Sequence, residues 1–366
     1  MRRRVAQPSS RGFLAVEPVR TTLGVDMSEL RRVGREERER RERDLLSPAA
    51  TLSSQSRGRE RPEEPDTYRT CFERDRDRIL YSKAFRRLKH KTQVFINPEG
   101  DHVVTRLTHT LQVAQIGRSL AQALGLNEAL VEAVCLGHEV GHPPFGHNGE
   151  VALSPYVEGE WLHSEQSVRV FEVLEPLNLT WEVIDGIRAH TWKVDPPPAT
   201  QEGMVLRFAD RIAYLVHDMH DAIRAEILTR EDLPADCLEV FGEPGGEWVR
   251  RMIRAVIDES LEQGVVAMRP EMLEAMHRFR EFMYQEVYLR PESQKQAEKA
   301  VRILRDLVDH YLVSPDEMPE SYRQRQEPLV NQVIDVVAGM TDRYALRVHE
   351  QIYRPFGPRR DTAEIL

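Results

Sequence analysis

Apolar residues along this chain recur mainly three and four positions apart, the period of helices, and rarely at every second position. A run over 71–88 places Phe72, Ile79, Phe85 and Leu88 on one buried side. Over 106–124 the residues Arg106, His109, Val113, Ile116 and Leu120 share a face, and Gly125 supplies the stop. Leu130, Val131, Val134 and Leu136 predict a helix running inward, and Val168, Phe171 and Leu174 the core side of another over 162–175. A short helix follows over 181–190, then a long one over 201–227 with Val205, Phe208, Ile212, Leu215, Met219 and Ile223 in one stripe. Amphipathic runs over 246–263, 269–290, 293–312 and 327–349 complete the pattern. Only 92–96 and 102–105 read as β-type, around Asn97-Pro-Glu-Gly-Asp101, which predicts one hairpin. The expected fold class is all-α, with one short β-hairpin and a helical C-terminal extension.

Ahead of these elements, 28–44 is rich in Arg and Glu at i,i+4 spacing and predicts a solvated surface helix, followed by a loop over 47–66. The expected organisation is an N-terminal arm and loop over 1–66, partly disordered, a core over 67–230, and a helical region over 231–366 packed on it. Residues 1–26 carry no periodic pattern, and Met27 is a second candidate start.

Composition narrows the classes. The 366 residues are 40% hydrophobic and 30% charged, in the range of a globular protein able to bury a large core. A formal charge of −9 and a pI near 5.9 argue against nucleic-acid binding through bulk charge, while leaving room for a local basic pocket that holds a small polyanion. No apolar run approaches the roughly 18 residues of a membrane span. Cys71, Cys135 and Cys237 form neither a disulfide framework nor a CxxC metal motif, so a cytoplasmic location is expected.

The candidate chemistry gathers in Cys135-Leu-Gly-His-Glu-Val-Gly-His-Pro-Pro-Phe-Gly-His-Asn-Gly-Glu150, where an apolar helix delivers His138 and Glu139 to its buried end. Ligand-type residues buried there require a metal, an ion pair or catalysis. His109 lies on the apolar stripe of 106–124. On 201–227 a second face carries Asp210, Tyr214, His217 and Asp221 where a plain surface helix would carry Lys and Arg, which points to a polar cavity. The candidate ligands are thus His109, His138, Glu139 and Asp210, from three helices. Two imidazoles and two carboxylates suit a divalent ion such as Mn²⁺, Fe²⁺, Mg²⁺, Co²⁺ or Zn²⁺, with nitrogen weighing against a pure Mg²⁺ or Ca²⁺ cage. From the residues alone, the activity reaches only as far as metal-dependent phosphoester or phosphoanhydride hydrolysis.

Five ordered segments carry a resemblance. They are Ser82-Lys-Ala-Phe-Arg-Arg-Leu88, Lys91-Thr-Gln-Val-Phe95, Thr105-Arg-Leu-Thr-His-Thr110, Gly137-His-Glu-Val-Gly-His-Pro-Pro-Phe-Gly-His147 and Phe208-Ala-Asp-Arg-Ile-Ala-Tyr214. Together they resemble the HD-domain deoxynucleoside triphosphate (dNTP) triphosphohydrolases, which implies the HD helical fold over roughly 79–228. The resemblance implies that water attacks the α-phosphorus of a dNTP, releasing a deoxynucleoside and tripolyphosphate. It makes His109, His138, Glu139 and Asp210 the metal ligands, His147, Glu150 and His163 the catalytic group, and Arg106, Gln93, Arg211 and Tyr214 the substrate contacts. It also implies a homo-oligomer, with nucleic acid entering only as an effector.

The chain departs from the family pattern in having Glu139 where the family has Asp, and Ser164 where it has Asn. Two alternatives follow. One is another HD phosphohydrolase acting on nucleotide monophosphates or cyclic nucleotides. The other is a nucleotide-binding regulator whose catalysis is weakened by Glu139.

Overall fold

The computed structural model describes residues 31–96 and 102–355. Sixteen α-helices make up the architecture among the described residues. The first nine are α1 (Arg35–Leu45), α2 (Cys71–Tyr81), α3 (Lys83–Arg87), α4 (Arg106–Leu124), α5 (Glu128–Gly137), α6 (His147–Leu153), α7 (His163–Arg169), α8 (Trp181–Arg188) and α9 (Gln201–Arg224). The remaining seven are α10 (Ala235–Phe241), α11 (Gly246–Gln263), α12 (Pro270–Met283), α13 (Pro291–Val313), α14 (Glu320–Arg323), α15 (Leu329–Ala338) and α16 (Asp342–Tyr353). None of them is long and apolar enough to cross a membrane.

Local chemistry sets the ends of the two long helices that matter most. Thr105 caps α4 by accepting from the Thr108 N–H, while the Thr108 side chain reaches back to the Thr105 amide. Gly125 closes the same helix in the left-handed conformation, at φ 65°. Thr200 caps α9 by accepting from the Gly203 N–H. The helices α4, α5 and α9 pack on one another, and α2 and α8 pack on α5. Their apolar faces (Val113, Leu120, Leu130, Val131, Val134, Ile187, Leu206 and Ile212 among them) form one core that continues into α10–α12 through Cys237, Trp248, Met252 and Phe279.

A second core joins the C-terminal helices to the segment following α5. Leu304, Leu307 and Val308 of α13, Val333 and Val337 of α15, and Ala345 of α16 pack with Phe145, Ala152, Leu153 and Trp161. The turn that carries the candidate chemistry is therefore walled on one side by the C-terminal region.

Two helical runs break where side chains offer the backbone a better end, and two more end in π-helical turns. The run expected over 71–88 stops at Ser82, whose hydroxyl accepts from the Phe85 N–H and starts α3 afresh. The run over 327–349 divides into α15 and α16 because Thr341 caps a new start. The runs over 162–175 and 269–290 end in π-helical turns at Val170–Leu174 and Tyr284–Tyr288. The expected hairpin is reduced to a single antiparallel bridge between Thr92 and Thr105, with its turn outside the described residues. Carboxylates take the strand donors instead: the Thr92 N–H goes to Asp342 at 2.9 Å and the Val104 N–H to Asp221 at 2.9 Å.

The candidate metal and phosphate site

Helices α4, α5 and α9 deliver three ligand-type side chains to one point. His109 comes from the second turn of α4, His138 caps the end of α5, and Asp210 projects from the middle of α9. Their ligand atoms all lie within 4.8 Å of one another. His109 Nε2 is 3.1 Å from Asp210 Oδ1, and His138 Nε2 is 3.8 Å from the same oxygen.

The other ring nitrogens are occupied. His138 Nδ1 donates to the Cys135 carbonyl at 2.6 Å, which leaves the Nε2 lone pair facing Asp210. His109 Nδ1 and His217 Nε2 share a hydrogen bond of 2.8 Å. Behind His217, Asp218 Oδ1 lies 2.7 Å from its Nδ1, and Asp218 Oδ2 accepts from the Tyr288 hydroxyl at 2.6 Å. Outer partners of this kind orient imidazoles that bind metals.

Both Nε2 atoms are buried and make no hydrogen bond among the described residues. Buried acceptors of this kind are costly unless something fills the space between them. Two imidazole nitrogens and a carboxylate fit a divalent cation, so His109, His138 and Asp210 could hold one. Burial tends to raise the Asp210 pKa, but the two histidines outweigh it and keep this carboxylate ionised well below the usual range.

Glu139 follows His138 in sequence, but its carboxylate turns elsewhere. It is ion-paired with Arg106, lies 3.4 Å from His142 Nε2 and 3.5 Å from His138 Nε2, and groups with His142 and His163 rather than with Asp210. Burial would raise its pKa, yet Arg106 and then His142 hold it well below the ordinary value. The structure thus brings three of the four candidate ligands into one group and places the fourth one side chain away.

Arg106, at 1% exposure, spends one terminal nitrogen on Glu139 and leaves Nε and Nη2 with no partner among the described residues. Gly146 passes beside it at φ 61°, and a side chain there would meet Arg106 Nη2 at 2.6 Å. Glycine is therefore required at this position for both the turn and the room around the guanidinium.

Past this turn lies a second cluster. Glu150 on α6 bridges two histidines, with Oε2 at 2.6 Å from His147 Nδ1 and Oε1 at 2.7 Å from His163 Nδ1. The His163 N–H also donates to Oε1, at 3.1 Å. Burial opposes the charge on Glu150, but His163 and His147 overcome it and keep the carboxylate ionised. The His147 side chain is 76% exposed, whereas His163 is buried and meets His190 Nε2 at 3.0 Å. Burial pushes His190 down to about 3, so this imidazole is neutral at ordinary pH. His142 stacks on His163 at 3.8 Å.

The other expected contacts are more dispersed. Gln93 holds its Oε1 buried and unpartnered among the described residues. Arg211 lies 4.1 Å over the Trp192 ring and 2.9 Å from His277 Nε2, and Tyr214 is half-buried one turn further along α9. Sequence reasoning marked His217 on the polar face of α9 but gave it no task. It missed His190, Asp218 and Tyr288, which stand alone in their segments and acquire meaning only through pairing in space. Asp221, marked on the same face, holds the Val104 amide instead.

This frame of helices with a His–His–Asp centre defines an HD-domain protein. The HD domain profile matches residues 106–215, and that of the phosphohydrolase-associated domain matches 266–351. Three relatives bear the name deoxyguanosinetriphosphate triphosphohydrolase-like protein. The one from Caldanaerobacter subterraneus subsp. tengcongensis is 49% identical over 327 residues, spanning 88% of this chain and 96% of its own. That of Desulfatibacillum aliphaticivorans is 46% identical over 344 residues, 88% of this chain and 98% of its own. That of Clostridium perfringens strain SM101 is 44% identical over 334 residues, again 88% and 98%. The chain belongs to this family of HD phosphohydrolases.

Proposed function

We propose that this protein hydrolyses deoxynucleoside triphosphates, dGTP among them, to a deoxynucleoside and tripolyphosphate. The observation that carries the reading is Arg106. A buried guanidinium with two unpartnered nitrogens, set between the His109–His138–Asp210 group and the His147–Glu150 pair, is a ready receptor for a phosphate oxygen. A divalent ion held by His109, His138 and Asp210 would offset phosphate charge and lower the pKa of water. Glu139 neighbours that group, 3.5 Å from His138 Nε2, and would add a fourth ligand if its carboxylate left Arg106.

In this reading Arg106 orients the α-phosphate. A bond forms from a water oxygen to the α-phosphorus while the bond from phosphorus to the 5′ oxygen breaks. His147, held by Glu150, gives its proton to that departing oxygen and regains one as the attacking water loses its own. His163, fixed by the same carboxylate, lines the reacting group from the buried side. Gln93 and Tyr214 contact the sugar, and Arg211 the outer phosphates. The protein acts in the cytoplasm as a homo-oligomer, with the core over 67–230 carrying the chemistry.

A panel of the four dNTPs with Mn²⁺, Mg²⁺ or Co²⁺, resolved for tripolyphosphate and orthophosphate, tests this. Tripolyphosphate as the first product supports the reading. Orthophosphate from nucleoside monophosphates, or a nucleoside monophosphate from cyclic nucleotides, with dNTPs untouched, transfers the site to another HD phosphohydrolase activity. The ion pair of Glu139 with Arg106 favours one second reading, a nucleotide-binding regulator, and dNTP binding without turnover would establish it.

A further inference from the structure

The turn between the two clusters, His142-Pro-Pro-Phe145, is gripped from outside the segment that carries them. Asp342, the first residue of α16 and 5% exposed, aims its carboxylate into this turn. Its Oδ1 accepts from the Phe145 N–H at 3.0 Å. Its Oδ2 accepts from the Thr92 N–H at 2.9 Å and from the Thr92 hydroxyl. At the other end of the turn, the buried Lys91 donates to the His142 carbonyl, and also to the Ala338 carbonyl at the end of α15 at 3.1 Å. Two buried polar side chains therefore hold the two ends of one turn, and both are tied to the α15–α16 junction.

The gripped residue is in an unusual state. Phe145 is a non-glycine residue at φ 63°, the left-handed conformation that such residues occupy only when surroundings impose it. Gly146 and His147 follow directly, so the peptide fixed by Asp342 sets where α6 begins and where His147 and Glu150 point. Thr92, held by the other oxygen, precedes Gln93. One carboxylate from the C-terminal region thus fixes the backbone of Thr92 and of Phe145, next to the Gly146 that lies beside Arg106 Nη2.

We propose that Asp342 is a positioning residue for the reaction, setting the His147–Glu150 pair and the Gln93 segment against the phosphate site without touching substrate. This rests on the proposed triphosphohydrolase reading. It assigns the C-terminal helices a part in turnover: they supply the carboxylate that the active turn lacks. Hydrogen bonds from backbone donors to an ionised acceptor are strong and directional, and a displacement of about 1 Å at a reacting group can cost about 10²-fold in rate.

The experiment compares the full-length wild type with Asp342→Asn and Asp342→Glu. It reads kcat and KM for dGTP, metal per chain, melting temperature, and hydrogen exchange of the Phe145 amide. The expected result for Asp342→Asn is a kcat lower by about 10²-fold with KM within about threefold, metal content unchanged and Phe145 exchange accelerated. Asp342→Glu, which keeps the charge, recovers part of the kcat. If Asp342→Asn fails to fold, Asp342→Glu alone decides: reduced kcat with metal and KM retained supports positioning. Wild-type kcat in either folded variant overturns the proposal, as does a kcat loss that only follows metal loss or unfolding. Should the wild type not hydrolyse dGTP, the functional reading fails. The Phe145 exchange rate in the variants then still decides whether Asp342 holds the turn, and unchanged exchange overturns that too.

Discussion

The two clusters on either side of the Pro-Pro turn are built from the same residue types and satisfied in opposite ways. In the His109–His138–Asp210 group, each imidazole has its outer nitrogen occupied and its inner nitrogen left without a hydrogen bond. In the His147–Glu150–His163 group, both carboxylate oxygens are engaged by histidines and, among the described residues, no ring nitrogen is left buried and orphaned. The first cluster buries both imidazoles, leaves the Asp210 side chain 26% exposed, and is drawn from three helices. The second sits largely on one short helix and exposes His147. A preoriented set of two imidazole nitrogens and a carboxylate could hold a cation, and a self-satisfied acid–imidazole pair at a solvent edge can pass protons.

Breaking the first cluster has the largest expected effect. His138→Ala or Asp210→Ala removes one of the three proposed ligands, and elemental analysis should fall from about one metal per chain towards none. Losing several kcal/mol of charge stabilisation lowers turnover by ~10³-fold or more. Metal retained at wild-type level in both variants would dissolve the distinction.

His147→Ala leaves the ligand group intact, so metal content should hold while kcat drops by ~10²–10⁴-fold, the range for losing a general acid. Parallel metal analysis and steady-state kinetics separate this from the first variant. Glu150→Gln keeps the shape but releases the hold on two imidazoles at once. A fall of about 10²-fold in kcat is expected, again with metal retained.

Glu139→Asp sharpens the boundary between the clusters. Because His109, His138 and Asp210 form a group without it, metal per chain should persist. Turnover should change by no more than about tenfold, a barrier difference of about 1.4 kcal/mol. Loss of metal in this variant would make Glu139 an indispensable ligand and move it into the first cluster.

Most of the helical frame could be read from the sequence, since a period of 3.6 with capping Thr and Gly residues is local information. The helix over 106–124 ends at Gly125 as expected because that glycine adopts the left-handed conformation its neighbours resist. What escaped was decided by distant carboxylates. Asp342 and Asp221 draw amide donors out of the expected hairpin, and neither effect is visible within the 92–105 segment. The ligand-type residues were legible as a list, because His109, His138, Glu139 and Asp210 stand out on otherwise apolar helices. Their division was not: whether Glu139 faces Asp210 or Arg106 depends on side-chain directions at the end of α5. The relay from Tyr288 through Asp218 towards His217 and His109 was equally hidden, since it joins α9 to a residue seventy positions away from Asp218.

The central claim is that water attacks the α-phosphorus within a centre assembled by His109, His138 and Asp210. Turnover of dGTP in heavy-oxygen water, with mass analysis of each product, tests it most directly. The account predicts one heavy oxygen in tripolyphosphate and none in deoxyguanosine. Label appearing in orthophosphate or pyrophosphate as the primary product would place the attack on another phosphorus and contradict it.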